Sequence, residues 1–260
     1  SPSRGKGALN VSTIAAFVTA GAGVPVCKHG NRAASSTSGS FDLLEALGLP
    51  LDQSPADVVR CVREAGVGFA FARSFHPAMR YAAPVRAEIG VPTVFNVLGP
   101  LAHPGRVRRQ VIGVADPTMA ERMVRVAAAN GAVHTMVVSG DENLDELSTT
   151  GVSVVHEWRD GELRRYEVAP EDVGLSRVTP EALLGGDAAA NVAIMKRVLA
   201  GEPGPARDIV VLNAGAALVV ADVAADLAEG VAAAQKSIDS GAAAKALDRM
   251  LEVARAKSSS

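Results

Sequence analysis

Short apolar segments alternate with longer amphipathic, alanine-rich segments along the first half of the chain. The apolar segments have strand length and cover 24–28, 66–72, 110–115 and 133–139. Between and around them, apolar residues recur at helical spacing over 13–22, 42–47, 55–65, 77–89 and 117–129. This alternation predicts an α/β fold with a mostly parallel central sheet flanked by helices.

The second half of the chain follows a different pattern. Two alternating segments, 152–158 and 163–168, are separated by a turn that contains Asp160 and Gly161. An Asp-Gly pair in that position favours a β-hairpin. Beyond Pro180 the pattern is helical, over 188–200, 207–220 and roughly 224–256. There is no internal repeat and no low-complexity block, so we expect one domain over 1–260.

Composition narrows the class of protein. The 26 basic and 28 acidic residues nearly cancel, which argues against a nucleic-acid partner. Aromatic residues are only 3% of the chain, too few for base-stacking surfaces. No apolar run reaches membrane length and residues 1–10 do not resemble a signal peptide, so we expect no membrane partner and a cytoplasmic location. Cys27 and Cys61 lack metal or redox spacing and are predicted to be buried free thiols.

A polar segment, 28–36, directly follows the first predicted strand. Ligands of open α/β sheets bind beyond the carboxyl ends of the strands. Lys28 and Arg32 can give charge-assisted hydrogen bonds to an anion, and Gly30 allows close approach of the backbone. A helix start nearby also favours phosphate. The alternative interpretation of this segment is a polar surface loop that caps the next helix.

Three further groups of residues are candidates for chemistry. Asn10 or Ser12 precedes an alanine-rich segment and suits a helix N-cap. Asp145 and Glu146 follow the predicted strand 133–139, where an acidic run is commonly a solvated loop. Two adjacent carboxylates there also suit Mg²⁺, which binds a few carboxylates together with substrate phosphates. Arg86 lies on a predicted helix, where an arginine is by default solvated.

The segment 28–36, continuing through Ser38, Gly39 and Ser40 into 42–48, resembles the motif of the anthranilate phosphoribosyltransferases. The resemblance extends from Asn10 to about Ala244. It implies a nucleoside phosphorylase/phosphoribosyltransferase-like catalytic domain. It also implies transfer of the ribose of 5-phosphoribosyl 1-diphosphate to anthranilate, with release of pyrophosphate, in tryptophan biosynthesis. Two alternatives stay open: a pyrimidine nucleoside phosphorylase of similar fold, or a catalytically impaired binding domain.

The resemblance also implies roles for individual residues. Lys28 and Arg86 would be catalytic, and Asn31 and Arg86 would bind anthranilate, because a forked guanidinium matches a carboxylate. Ser12, Asp145 and Glu146 would hold Mg²⁺. The sugar diphosphate would be bound by Asn10, Ser12, Thr13, Lys28, His29, Gly30, Asn31, Arg32, Ala33, Ala34, Ser35, Ser36 and Ser40. Both substrates are small molecules, and the full-length family forms homodimers.

The sequence departs from the family in two respects. A glycine-rich diphosphate loop and an N-terminal helical domain precede the position of Asn10 in the family, whereas here residues 1–7 read Ser-Pro-Ser-Arg-Gly-Lys-Gly. We therefore expect either a truncated chain or a variant with reduced activity, and dimer formation stays open. His103 stands where the family commonly has Asn, and Ser139 where it often has His.

Overall fold

A computed structural model of the chain describes residues 9–31, 39–78, 81, 88 and 95–256. Its strands are β1 Val26–Gly30, β2 Val67–Phe71, β3 Arg109–Gly113, β4 His134–Ser139, β5 Ser153–Arg159 and β6 Glu162–Val168. Its helices in the first half are α1 Val11–Gly21, α2 Ser40–Ala46, α3 Pro55–Ala65, α4 Ala72–Phe75, α5 Phe95–Leu101 and α6 Ala120–Ala129. Those in the second half are α7 Ala188–Leu199, α8 Pro205–Val220, α9 Leu227–Asp239 and α10 Ala242–Arg255.

The described strands form two sheets. In the first, β1 pairs with β2 in parallel, and Lys28 lies opposite Phe69. The second has the order β3-β4-β5-β6, in which β3 and β4 are parallel while β5 and β6 are antiparallel to their neighbours. The predicted α/β class is confirmed. The expectation of one mostly parallel sheet needs correction within the described residues, because the hairpin adds two antiparallel pairings beside β4.

The hairpin itself is confirmed. Asp160 and Gly161 both have positive φ, 54° and 85°, as a type I′ turn requires. The helical C-terminal part is also confirmed, but the predicted helix 224–256 is two helices. It breaks at Gly241, whose φ of 74° lies in the left-handed region, a conformation that interrupts an α-helix.

Helix α8 runs through the centre of the hydrophobic core. Its residues from Ile209 to Ala216 are buried, and the core cluster to which they belong includes side chains of both sheets, such as Phe69 of β2 and Met136 of β4. Phe17 of α1 packs against Phe69 with ring centroids 5.4 Å apart. Because one core includes side chains of both sheets, the ends of their strands are held in fixed positions. The single-domain organisation over 1–260 stays a prediction.

Candidate active site

The N-terminus of α1 meets the acidic pair that follows β4. The backbone N–H of Ser12 donates a hydrogen bond to Oε1 of Glu146, 3.2 Å away, across 134 positions of sequence. N–H groups in the first turn of a helix have no partner within the helix and so bind external acceptors. Two residues that were predicted to act together, Ser12 and Glu146, are therefore in direct contact.

Lys28, at the third position of β1, belongs to the same cluster of charges. Burial lowers the pKa of its ammonium group, and the charges of Glu146 and Asp145 partly offset this effect. Burial and the charge of Asp145 raise the pKa of Glu146 to about 8, against the opposing effects of the Ser12 N–H and Lys28. The described residues therefore gather one helix start, one lysine and two carboxylates in one place.

Two glycines allow the acidic pair to reach this position. A Cβ on Gly113, the last residue of β3, would overlap the carbonyl oxygen of Asp145. A Cβ on Gly140, directly after β4, would lie 2.6 Å from the carbonyl oxygen of Glu146. Only glycine permits so close an approach of two backbone segments. The acidic pair therefore lies directly over the carboxyl ends of β3 and β4.

The turn before the acidic pair is held by hydrogen bonds within its own loop. Glu142 adopts a left-handed conformation, with a φ of 53°. The carboxylate of Asp141 accepts a hydrogen bond of 2.8 Å from the hydroxyl of Thr150, and that hydroxyl also lies 2.7 Å from the hydroxyl of Ser148. The bond from Thr150 ties Asp141 to its own loop. The assignment of the metal pair to Asp145 and Glu146 stays a prediction.

Asn10, at the start of α1, is bound by a residue that the sequence did not point to. The side-chain amide of Asn191, on α7, donates to Oδ1 of Asn10 at 3.0 Å. Asn191 is fully buried, and its own Oδ1 accepts from the backbone N–H of Gly186 at 3.0 Å. Thr13 differs from Asn10 because its side chain is completely buried. Its predicted contact with the sugar diphosphate stays a prediction.

Gly30, at the end of β1, lies close to the start of α2, since a Cβ on it would lie 2.6 Å from the hydroxyl of Ser40. The predicted approach of an anion to this glycine stays a prediction. The hydroxyl of Ser40 donates to the carbonyl oxygen of Asn31 at 3.2 Å, so the end of β1 is joined to the start of α2. The other predicted residues of this loop, and the arginine predicted to bind anthranilate, lie outside the described residues; they are Arg32, Ala33, Ala34, Ser35, Ser36 and Arg86.

Three histidines lie together next to Lys28. The ring of His29 lies 5.1 Å from that of His76 and 5.6 Å from that of His103, between centroids. Burial and the charges of His103 and His76 lower the pKa of His29 to about 4, so its ring is neutral at pH 7. His103 donates from Nε2 to the carbonyl oxygen of Cys27 and accepts at Nδ1 from the N–H of Gly105, both at 3.0 Å.

Sequence reasoning assigned no role to His76 or His103. One signal was available, because His103 stands where the family commonly has asparagine. Like the histidine ring, an asparagine amide can donate to one backbone group and accept from another. The two cysteines, by contrast, are free thiols as predicted; Cys61 is buried and Cys27 half-buried. No helix among the described residues is both long enough and apolar enough to cross a membrane.

Comparison with known proteins decides the family. Residues 4–244 match the glycosyl transferase family, a/b domain. The chain is 55% identical to the anthranilate phosphoribosyltransferase of Chloroflexus aggregans, over 95% of this chain and 73% of the relative. It is 53% identical to that of Roseiflexus castenholzii over the same shares. The chain belongs to the anthranilate phosphoribosyltransferase family.

Solved structures of anthranilate phosphoribosyltransferases have the same fold. The enzyme of Thermus thermophilus superposes with a TM-score of 0.91 at 48% identity, over 96% of this chain and 75% of that one. The enzyme of Saccharomyces cerevisiae in complex with PRPP and Mg gives a TM-score of 0.86 at 30% identity, over 96% and 72%. The likeness covers nearly all of this chain, and it confirms the family predicted from 28–48.

The acidic pair fits the magnesium ion expected for an anthranilate phosphoribosyltransferase. Within the ranges that the structure describes, no group of three or more His, Cys, Asp or Glu side chains could hold a metal. Mg²⁺ needs no such group, because it keeps several waters and binds one or two carboxylates together with substrate phosphates. Burial and the charge of Asp145 raise the pKa of Glu146, and a cation bound beside it would favour its ionised form.

Proposed function

We propose that this chain transfers the phosphoribosyl group of 5-phosphoribosyl 1-diphosphate to the amino group of anthranilate. The products are N-(5-phosphoribosyl)anthranilate and pyrophosphate, in a step of tryptophan biosynthesis. The family assignment supports this reaction, because the relatives in Chloroflexus and Roseiflexus carry its name at more than half identity. The observation that carries the proposal is the contact of the Ser12 N–H with Glu146 beside Lys28.

The site fits the diphosphate end of the donor. During transfer the bond between the anomeric carbon and the diphosphate oxygen breaks, and negative charge builds up on the leaving pyrophosphate. Lys28 lies in β1, and its ammonium group would stabilise such charge with little reorganisation. The start of α1, which contacts Glu146, would add the positive end of its helix dipole.

Mg²⁺, held by Asp145, Glu146 and the hydroxyl of Ser12, would supply positive charge to the diphosphate oxygens when bound. Glu146 must be ionised to act as a ligand. Its hydrogen bond from Ser12 orients one carboxylate oxygen and leaves the other available. Asp145 is exposed and can turn towards the same ion.

The acceptor must be held in line with the anomeric carbon. We propose that Arg86 binds the anthranilate carboxylate in two hydrogen bonds and that Asn31 lies near the amine. Positioning of this kind contributes up to roughly 7–11 kcal/mol in model systems. The new bond joins the amine nitrogen to the anomeric carbon, and the amine loses one proton. The complex of the yeast enzyme with 4-fluoroanthranilate shows that a relative accepts an analogue of this ring.

The proposal is tested by following anthranilate fluorescence and pyrophosphate release together, with 5-phosphoribosyl 1-diphosphate and Mg²⁺ present. We expect the two signals to change in equal amounts and to stop when Mg²⁺ is removed. Phosphorolysis of thymidine or uridine is the control reaction. Phosphorolysis without pyrophosphate release would instead indicate a nucleoside phosphorylase, and binding of the sugar diphosphate without turnover would indicate a binding domain.

Two properties that the resemblance implies stay proposals. We infer a cytoplasmic location, supported by the substrates of the proposed reaction. The homodimer of the full-length family is the second, and whether this chain forms it stays open. Analytical ultracentrifugation of this chain at several concentrations measures the second property directly, and a monomer at all concentrations would contradict it.

A further inference from the structure

Leu147 directly follows the acidic pair, and a single side chain binds both polar groups of its backbone. Oδ1 of Asn213, on α8, accepts from the N–H of Leu147 at 3.0 Å. Nδ2 of Asn213 donates to the carbonyl oxygen of Leu147 at 2.9 Å. The amide thus pairs with Leu147 much as a neighbouring strand would, across 66 positions of sequence.

The orientation of the Asn213 amide is fixed by a third hydrogen bond. Its second N–H donates to the carbonyl oxygen of Ile209, one turn earlier on α8, at 2.9 Å. A flipped amide would place its oxygen against two carbonyl oxygens and its NH₂ group against the N–H of Leu147. Asn213 is only 8% exposed, so water cannot easily replace any of these partners.

Leu147 is the point at which the acidic segment is anchored to the core. Its side chain is 1% exposed and packs in the same core as α8. On either side the segment is held by local bonds, from the N–H of Ser148 to the hydroxyl of Ser153 and from the N–H of Gly140 to the carbonyl of Leu144, both at 2.8 Å. Within the part of the chain that the structure describes, the hydrogen bonds of Asn213 are the ones that tie the backbone next to Glu146 to a core helix.

We propose that Asn213 is a positioning residue for the cation site of Asp145 and Glu146. It fixes the backbone of Leu147 against α8, and this holds the preceding carboxylates over Gly113 and Gly140, within reach of Ser12. The inference rests on the proposed function, since it gives the acidic pair a bound cation. Asn213 touches neither substrate nor metal, so its effect passes through the backbone of Leu147.

Asparagine is the residue that meets this requirement. The N–H of Leu147 needs an acceptor, and the carbonyl oxygens of Leu147 and Ile209 each need a donor. A single side-chain amide of this length supplies all three. Aspartate has the same shape but would turn an acceptor towards two carbonyl oxygens. Alanine would leave the N–H and carbonyl of Leu147 without partners and free to shift.

The test compares Asn213→Ala and Asn213→Asp with Val210→Ala, a control that removes buried volume from the same helix and leaves the hydrogen bonds of Asn213 to Leu147 in place. Mn²⁺ serves as the probe, and its binding to the full chain is followed by electron paramagnetic resonance. Thermal unfolding of each variant shows whether the control is equally destabilised. Changes in residues that orient metal ligands typically weaken metal binding about 10- to 100-fold. We expect a loss in this range for both Asn213 variants and a change below about twofold for Val210→Ala.

A second measurement does not depend on any variant. In the unsubstituted chain, hydrogen exchange of the Leu147 amide should be as slow as that of amides in the centre of α8. Fast exchange at Leu147 would overturn the proposal. Equal Mn²⁺ affinity in the unsubstituted chain and both Asn213 variants would also overturn it, while the proposed function would stand. If the unsubstituted chain binds no Mn²⁺ with the sugar diphosphate present, the proposed function fails and this proposal fails with it.

Discussion

The protonation state of Glu146 depends on neighbours that have opposing effects on its pKa. Burial and Asp145 favour its neutral form, while the Ser12 N–H and Lys28 favour its ionised form. The sequence predicted the identity of these residues through a local motif and an acidic pair. It could not predict which neighbour dominates, because that depends on how deeply each side chain is buried once the chain has folded.

His29 gives a pH-dependent prediction at this scale. Its pKa is lowered to about 4 in the folded chain, while an unfolded histidine titrates near about 6.5. Between these values the unfolded chain binds more protons, so the contribution of His29 to stability is complete above about pH 6.5 and is lost as the pH falls towards 4. His29→Gln should remove this contribution.

The measurement is the free energy of unfolding in urea, from pH 7 to pH 4, for both proteins. The loss of stability on acidification should be smaller for His29→Gln than for the unsubstituted chain. His103→Asn should also reduce this loss, because the charge of His103 contributes to the lowered pKa of His29, while an amide can keep the hydrogen bonds to Cys27 and Gly105. Parallel pH profiles for His29→Gln and the unsubstituted chain would show that His29 is not held in its neutral form.

At the scale of elements, most of the helices and strands follow from periodicity, and the exceptions have physical causes. Strand β1 extends to Gly30 because it is paired with β2 through Phe71, a contact that periodicity cannot show. The helix predicted over 224–256 breaks at Gly241, a residue whose left-handed conformation was not evident among so many alanines. Phe95–Leu101 is helical despite Pro100, in a segment for which periodicity predicted no helix.

The crossing of α8 and α9 also depends on residues that the pattern did not mark. A Cβ on Gly230 would lie 2.5 Å from the carbonyl oxygen of Gly215, so two backbones meet there without side chains between them. Neither backbone can move without disturbing the core around α8. Gly230→Ala should therefore destabilise the chain by about 1–3 kcal/mol, as overpacking commonly does.

Thermal unfolding checks this prediction. Gly99→Ala is the matched control, because no described atom beyond its chain neighbours and its own helix backbone lies within 4 Å of the Cβ that it would add. The control should keep its melting temperature or gain slightly, since alanine is favoured over glycine in a helix. A Gly230→Ala variant as stable as Gly99→Ala would mean that α8 and α9 do not pack so closely.

At the scale of the whole molecule, the site unites segments that are far apart in sequence. The motif at 28–36 predicted the family, and alternation of strands and helices predicted that their ends would share one rim. The buried asparagines of the C-terminal helices could not be predicted in this way. Asn191 binds Asn10 across 181 positions and Asn213 binds Leu147 across 66 positions, and neither spacing is a local pattern. The helical second half of the chain thus contacts the segments of the site through uncharged asparagine side chains.

The central claim is that the start of α1, Lys28 and the acidic pair form one site for a sugar diphosphate and its cation. Calorimetric titration with 5-phosphoribosyl 1-diphosphate, with and without Mg²⁺, tests it most directly in the unsubstituted chain and in Asp145→Asn/Glu146→Gln. These changes keep the shape of both side chains. The side-chain amide introduced by Glu146→Gln also keeps an oxygen that can accept from the Ser12 N–H. The account predicts that Mg²⁺ tightens binding to the unsubstituted chain and not to the double variant. An equal effect of Mg²⁺ on both proteins would contradict it.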